Sequence, residues 1–215
     1  MKRKIQNLNE YPTAEHALRY LSKADTLPHR TEGEGILLDF IPQEVKRILD
    51  LGSGDGRLLA LLKIGRPEAE GIALDFSHTM IKAARERFRN DHSVRVVDHN
   101  MDHPLPDLGK FDAVVSSFAI HHCTDERKRQ LYSEVYDVLI PGGIFCNLEH
   151  VSSPTDELHH RFLHSIGVNE KEEDPSNILL DVETQLQWLR EIGFHNVDCY
   201  WKWLELALIG GNKAL

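Results

Sequence analysis

The stretch RILDLGSGDGRLLALL, residues 47–62, sets three glycines within five residues between an apolar run and an amphipathic one. Strand-type residues over 47–51, then Gly52-Ser53-Gly54-Asp55-Gly56, then helical spacing over 57–64 predict a strand, a bare loop and a helix. In that order, backbone amides and a helix N-terminus face a ligand at the carboxyl end of a parallel sheet. Glycine at such a loop lets a ligand come close to the backbone. The third glycine arrives early, as GxGxG rather than the GxGxxG of dinucleotide loops, and Asp50 stands two positions before the first. A carboxylate there would repel a pyrophosphate and would suit a ligand carrying ammonium and sulfonium charge.

Working outward, short strand-type runs at 71–74, 94–97, 113–117 and 144–148 alternate with helical patterns at 77–89 and 125–139. That alternation predicts an α/β fold, a Rossmann-like seven-stranded, mostly parallel sheet with helices on both faces. Ile140-Pro141-Gly142-Gly143 is expected to end the second of these helices, because proline cannot continue it and glycine accepts left-handed dihedrals. Residues 152–181 are polar and rich in His and acidic side chains, and are expected to form an insertion near the substrate site, with a helix at 157–166. Asp181 is placed to cap a further helix that Gly193 stops. Two closing strands follow, one antiparallel, with a break near Leu204. Helical patterns at 11–22 and 31–41 predict an N-terminal lid. The expected organisation is one domain: a lid at 1–44, a cofactor-binding core at 45–151, the insertion at 152–181, and a closing helix and strand pair at 182–215.

Composition narrows the function classes. The 215 residues carry 25 Lys and Arg against 34 Asp and Glu, a formal charge of -9 that offers no broad basic surface for nucleic acid. No run approaches the roughly 18 apolar residues needed to cross a bilayer, and the first residues lead into polar sequence, so no membrane partner and a cytoplasmic location are expected. Cys123, Cys146 and Cys199 are few, odd in number and far apart, which suggests neither a disulfide framework nor a thiolate metal site.

In the segment GIALDFS, Asp75 ends the second strand about 20 residues past the loop, where a carboxylate can take both hydroxyls of a ribose. Its alternative role is to cap the following helix. The ordered set LDLGSGDG, ALDFS, FDAVVSSFAIHH and LYSEVYDVLIPGGIF resembles the motifs of class I S-adenosylmethionine-dependent methyltransferases, of the small-molecule type in the methyltransferase domain 25 and 12 groups. The resemblance covers residues 47–148, and the tail from Trp188 is similar to the family's final helix and strand pair. It implies S-adenosyl-L-methionine as cofactor, with S-adenosyl-L-homocysteine as product. Gly52, Ser53, Gly54 and Gly56 would wrap the amino acid part, Asp75 would hold the ribose, and Phe76 and Met80 would pack near the adenine. Asn100 replaces the family's usual Asp at the adenine amino group, with Met101 beside it and Asp98 and Asp102 as competing assignments. Ser116, Ser117 and Phe118 would floor the cleft, and Arg30 would grip the cofactor carboxylate unless it pairs with Glu32 or Glu34.

The acceptor is expected to be a small molecule attacked through oxygen or nitrogen by in-line displacement. A tRNA or rRNA base methyltransferase and a non-catalytic cofactor-binding protein are the alternatives. If the nucleophile carries a proton, His122 or His150, just past the fourth and fifth strands, is the candidate base. His159, His160 and His164, with His121 or Glu149, could approach a metal, but no ligand set follows from their spacing, and no metal is assigned. Tyr11, Tyr20, Trp201 and Trp203 could enclose an organic acceptor or simply pack.

Overall fold

The computed structural model describes residues 27–215. The helix expected at 11–22, with Tyr11 and Tyr20, lies outside them. In chain order the elements are α1 (Arg30–Phe40), β1 (Arg47–Leu51), α2 (Arg57–Gly65), β2 (Glu70–Asp75), α3 (His78–Arg87), β3 (Val94–Asp98), β4 (Phe111–Ser117), α4 (Asp125–Val138), β5 (Leu139–His150), α5 (Asp156–Ser165), α6 (Val182–Ile192), β6 (His195–Trp203) and β7 (Leu206–Asn212). One-turn 3-10 segments stand at Ile120–His122 and Glu170–Glu172.

The seven strands form one sheet in the order β3-β2-β1-β4-β5-β7-β6. The first five pair in parallel, while β7 runs antiparallel to both β5 and β6. Strand order therefore reverses between β1 and β4, the point where α/β sheets open a crevice at their carboxyl ends. Two cores cover the faces. Leu37, Leu58, Leu59 and Leu62 pack on one side, and Leu131, Tyr132, Val135 and Leu189 on the other. Leu37, Leu59 and Leu131 are fully buried, each contributing on the order of 2 kcal/mol over exposure to water.

Local chemistry sets the helix limits. Thr124 and Thr155 cap α4 and α5 by accepting from Arg127 N and Leu158 N, and Asp181 caps α6 by accepting from Thr184 N at 2.8 Å. Gly193, at φ 113°, stops α6 as expected. The IPGG segment does not terminate α4. That helix already ends at Val138, and Pro141, Gly142 and Gly143 lie inside β5. Gly142 takes φ 79° and donates to Lys213 O at 3.0 Å, while a Cβ on Gly143 would stand 2.9 Å from Ile140 O. These glycines admit close backbone neighbours to the strand. Among the described residues no helix is long and apolar enough to cross a membrane.

Candidate active site

A cleft of about 820 Å³, open to solvent, lies at the carboxyl ends of β1, β2 and β4. Its walls include Arg30, Asp50, Gly52, Ser53, Gly54, Asp75, Phe76, Met80, Asn100, Met101, Ser117 and His122, all singled out from sequence. Gly56 and His150 do not belong to its described lining.

The three loop glycines have different reasons to be bare. All take positive φ, at 62°, 56° and 79°. A Cβ on Gly52 would stand 2.2 Å from the Ala119 Cβ, and one on Gly56 would meet the Phe88 ring at 2.4 Å, so these two serve packing behind the loop. At Gly54 the nearest atom is the Met80 sulfur at 3.9 Å, and Met80 itself lines the cleft. Only this glycine leaves space on the ligand's side.

Asp75 anchors the loop from β2. Its Oδ2 accepts from Gly54 N at 2.9 Å and its Oδ1 from Ser77 N at 2.8 Å, so the side chain also organises the entry to α3. Burial pushes this carboxyl up to about 6 despite those amides. Asp50 lies deeper. Neither of its oxygens makes a well-formed hydrogen bond among the described residues, and burial, with Asp75 and Asp55 close by, holds its carboxyl well above the usual range. The hydroxyls of Ser53 and Ser117 are likewise buried and unpartnered there. A buried carboxylate pair beside unused hydroxyls fits a ligand that brings positive charge and hydrogen-bonding groups.

Arg30 lines the cleft while its Nε donates to Glu34 Oε1 at 2.8 Å, the ion pair anticipated as its alternative role. Sequence reading missed the second guanidinium. Arg57, the first residue of α2, donates to both Glu34 oxygens at 3.1 and 3.0 Å and also lines the cleft. Its place directly after the third glycine was the available signal. His99, Ala119 and Cys123 were missed as well. Burial pushes the Cys123 thiol up to about 12, so it is no thiolate at neutral pH.

Several expectations are corrected. Ser116 turns away from the cleft, donating to Leu51 O at 2.8 Å, and fixes β4 to β1. Ser117 and Phe118 do face the cleft, and Phe118 adopts φ 52°, a strained conformation for a side chain of this kind. Asn100 is in the wall, its Oδ1 accepting from Asp102 N at 2.9 Å, and Asp102 joins it there, whereas Asp98 lies 3.9 Å from His78 and outside the lining. Trp201 and Trp203 pack elsewhere: Trp201 fills the space beside Gly33, and Trp203 stacks on His29 at 4.3 Å.

The histidines separate. His150 lies outside the cleft lining and bonds the buried Glu205 carboxylate at 3.0 Å, which also holds His159 at 2.9 Å. His160 pairs with Glu170 at 2.9 Å, so His159 and His160 serve different carboxylates. Among the described residues no group of three or more His, Cys, Asp or Glu is arranged to hold a metal. His122 alone of the two candidate bases lines the cleft. Burial, reinforced by His121 tilted against it with ring centroids 4.1 Å apart, depresses its imidazole to about 3, so the ring is neutral at pH 7. His121 is neutral too, held well below the usual range by burial, and bonds Glu149 at 2.5 Å.

Fold and cleft together define a Rossmann-like protein with a single-sheet crevice at the carboxyl ends of β1, β2 and β4. A family model for a methyltransferase domain matches residues 48–143. The chain is 36% identical over 138 residues to the demethylmenaquinone methyltransferase of Thermus thermophilus, an alignment covering 63% of this chain and 60% of that protein. It is 26% identical over 186 residues to the carboxy-S-adenosyl-L-methionine synthase of Nautilia profundicola, covering 80% and 79%. An O-methyltransferase family protein from Burkholderia thailandensis shares the fold with a TM-score of 0.73 at 18% identity, over 95% of this chain and 62% of that one. Over the core of its sheet the chain is thus similar to S-adenosylmethionine-dependent methyltransferases, and it spans about 60% of the length of the Thermus enzyme.

Proposed function

We propose that this chain passes a methyl group to a small organic acceptor through oxygen or nitrogen. The observation that carries the reading is the buried, unpartnered Asp50 carboxylate in the same cleft as Asp75 and the open space at Gly54. Asp50 would face the cofactor's cationic amino acid part, Gly54 would give it room, and Asp75 would hold the ribose. Arg30 and Arg57 would receive its carboxylate. Phe76, Met80, Asn100 and Met101 would surround the adenine, with Ser53 and Ser117 supplying hydroxyls. When bound, S-adenosylmethionine supplies an activated methyl group on a sulfonium.

The chain's own task is then to position and dehydrate a nucleophile and to take its proton. Phe118, Ala119 and Cys123 give the cleft an uncharged wall beside His122, whose neutral ring can accept a proton or hydrogen bond from an acceptor. Relatives are named for organic acceptors, free in demethylmenaquinone and carried on a protein in malonyl-[acyl-carrier protein]. Titration calorimetry of the full chain with S-adenosylhomocysteine and with NAD tests the cofactor assignment. Binding of the first alone is expected, and binding of NAD alone would overturn it.

A second reading draws on the longer alignment with the Nautilia synthase: the chain would make carboxy-S-adenosyl-L-methionine instead of passing the methyl group on. Mass spectrometry of the cofactor recovered from the purified chain separates the two, since a carboxylated cofactor would favour synthesis.

A further inference from the structure

The wall of the cleft that carries His99, Asn100, Met101 and Asp102 belongs to no strand or helix. It opens the loop from β3 to β4, residues 99–110, in which Pro104 and Pro106 have no amide to offer. Such a segment must find partners for its backbone groups outside any ladder. Asn100 meets some of them locally: its Oδ1 accepts from Asp102 N at 2.9 Å and its carbonyl from His103 N at 3.0 Å. Others are met from one face of α4. Arg127 Nε donates to Met101 O at 2.6 Å and Arg127 Nη2 to His103 O at 2.9 Å, while Glu134 Oε2 accepts from Leu105 N at 3.0 Å. The two side chains are forked onto each other at 2.5 and 2.8 Å.

A buried ion pair is weak support for stability, since an apolar pair of similar volume often serves as well. What this one supplies is placement, because a planar guanidinium fixes two carbonyls and a carboxylate at once. Burial works against the Glu134 carboxylate, yet Arg127 and the Leu105 amide hold it below its ordinary value. Arg127 also stands four residues past Cys123, and its amide donates to the Thr124 cap at 3.3 Å, so it follows directly on the cleft residues Ala119, His122 and Cys123. Met101, gripped through its carbonyl, reaches the glycine loop: a Cβ on Gly52 would stand 3.0 Å from Met101 Cε. Three parts of the cleft wall are thus tied together through one guanidinium that does not itself belong to the described lining.

We propose that Arg127 and Glu134 are positioning residues for the cofactor's base, holding the 99–105 segment where Asn100 and Asp102 can read the edge of an adenine. The purpose rests on the S-adenosylmethionine reading given above, while the clamp stands on its own geometry. Side chains that read a base must be held to within about 0.5 Å, and a loop without a ladder has no other rigid element to hold it there. Neither residue acts on the ligand directly; both act through the backbone of the loop.

The test uses the full chain and two ligands that differ only at the base, S-adenosylhomocysteine and S-inosylhomocysteine. In the second a carbonyl replaces the adenine amino group and N1 carries a proton. Wild type is expected to prefer the first by about tenfold, the worth of one good hydrogen bond to a charged or polar partner. Arg127→Lys keeps the charge but loses the fork. It is expected to weaken S-adenosylhomocysteine about tenfold and to shrink the preference to within about threefold. Glu134→Gln leaves an acceptor for Leu105 and is expected to act in the same direction by a smaller factor. A folded Arg127→Lys chain with the wild-type preference would refute the proposal, as would a wild type that binds the two ligands alike, because a merely structural role lowers the melting temperature and leaves the choice of base alone. Amide hydrogen exchange without ligand reads the clamp separately. The His103 and Leu105 amides should exchange about tenfold faster in Arg127→Lys while those of β1 stay unchanged, and equal rates at all of them would overturn the clamp. A wild type that binds neither ligand would overturn the methyl-transfer reading and the purpose assigned to the loop, with the exchange rates still deciding for or against the clamp.

Discussion

Gly54→Ala should separate cofactor binding from folding. The residue takes φ 56°, where a side chain costs about 1–2 kcal/mol. The added Cβ meets nothing closer than the Met80 sulfur at 3.9 Å, so no packing clash adds to that strain. A loss of that size lowers the melting temperature of a chain of this length by about 3–6 °C. The methyl group projects on the cleft side, into the space a ligand must use. Overpacking of about 1–3 kcal/mol there translates to a loss of affinity of about 5- to 150-fold. Titration calorimetry with S-adenosylhomocysteine, paired with a thermal melt, reads both quantities. Affinity within about twofold of wild type in a folded variant would refute the reasoning. Gly52→Ala is the control: its Cβ would lie 2.2 Å from the Ala119 Cβ, so its melting temperature should fall further than that of Gly54→Ala.

Three more outcomes are expected. Asp75 and Glu149 both titrate at about 6 in the ligand-free fold because burial raises them, so the folded state holds their protons more tightly than the unfolded chain does. The stability they contribute is therefore complete at about pH 4 and is lost as pH rises to 6; Asp75→Asn should flatten that decline by about 3 kcal/mol in urea titrations across the interval. Burial raises the Asp50 carboxyl, and a cation beside it would favour its ionised form, so cofactor binding should expel protons and the calorimetric enthalpy should vary with the buffer's heat of ionisation; a buffer-independent enthalpy would count against the Asp50 assignment. Glu34→Ala removes a buried carboxylate shared by Arg30 and Arg57 and should cost about 3 kcal/mol in chemical denaturation, with little loss pointing to compensation by other partners.

The sheet was legible because each parallel strand is a short apolar run ended by a turn or a polar residue, and β1, α2 and the loop between them begin where the pattern placed them. The IPGG segment misled because proline and glycine read the same whether they end a helix or admit a crowded strand; only the approach of residues 213–214 distinguishes the cases. At the site, residues tied to the glycine loop by short chain distance were readable. Arg57 and Glu34 were not, since their partnership spans 23 residues and depends on how α1 packs. His150 was misplaced for the same reason: its fate is decided by Glu205, which is 55 residues away in sequence. The separate duties of the three glycines were equally hidden, because Ala119 and Phe88 come from distant segments.

The position of β7 has a consequence for how the molecule is made. This strand follows β6 in the chain yet lies between β5 and β6, and Gly210 passes so close that a Cβ would meet Phe145 O at 2.2 Å. While residues 206–212 are still inside the ribosome, β5 presents an open edge and β6 has nothing to pair with. The nascent chain can assemble its cofactor loop early, but must hold that sticky edge uncovered until the seventh strand emerges and slides into the gap, so synthesis stalled before residue 206 should yield aggregates and not a smaller working enzyme.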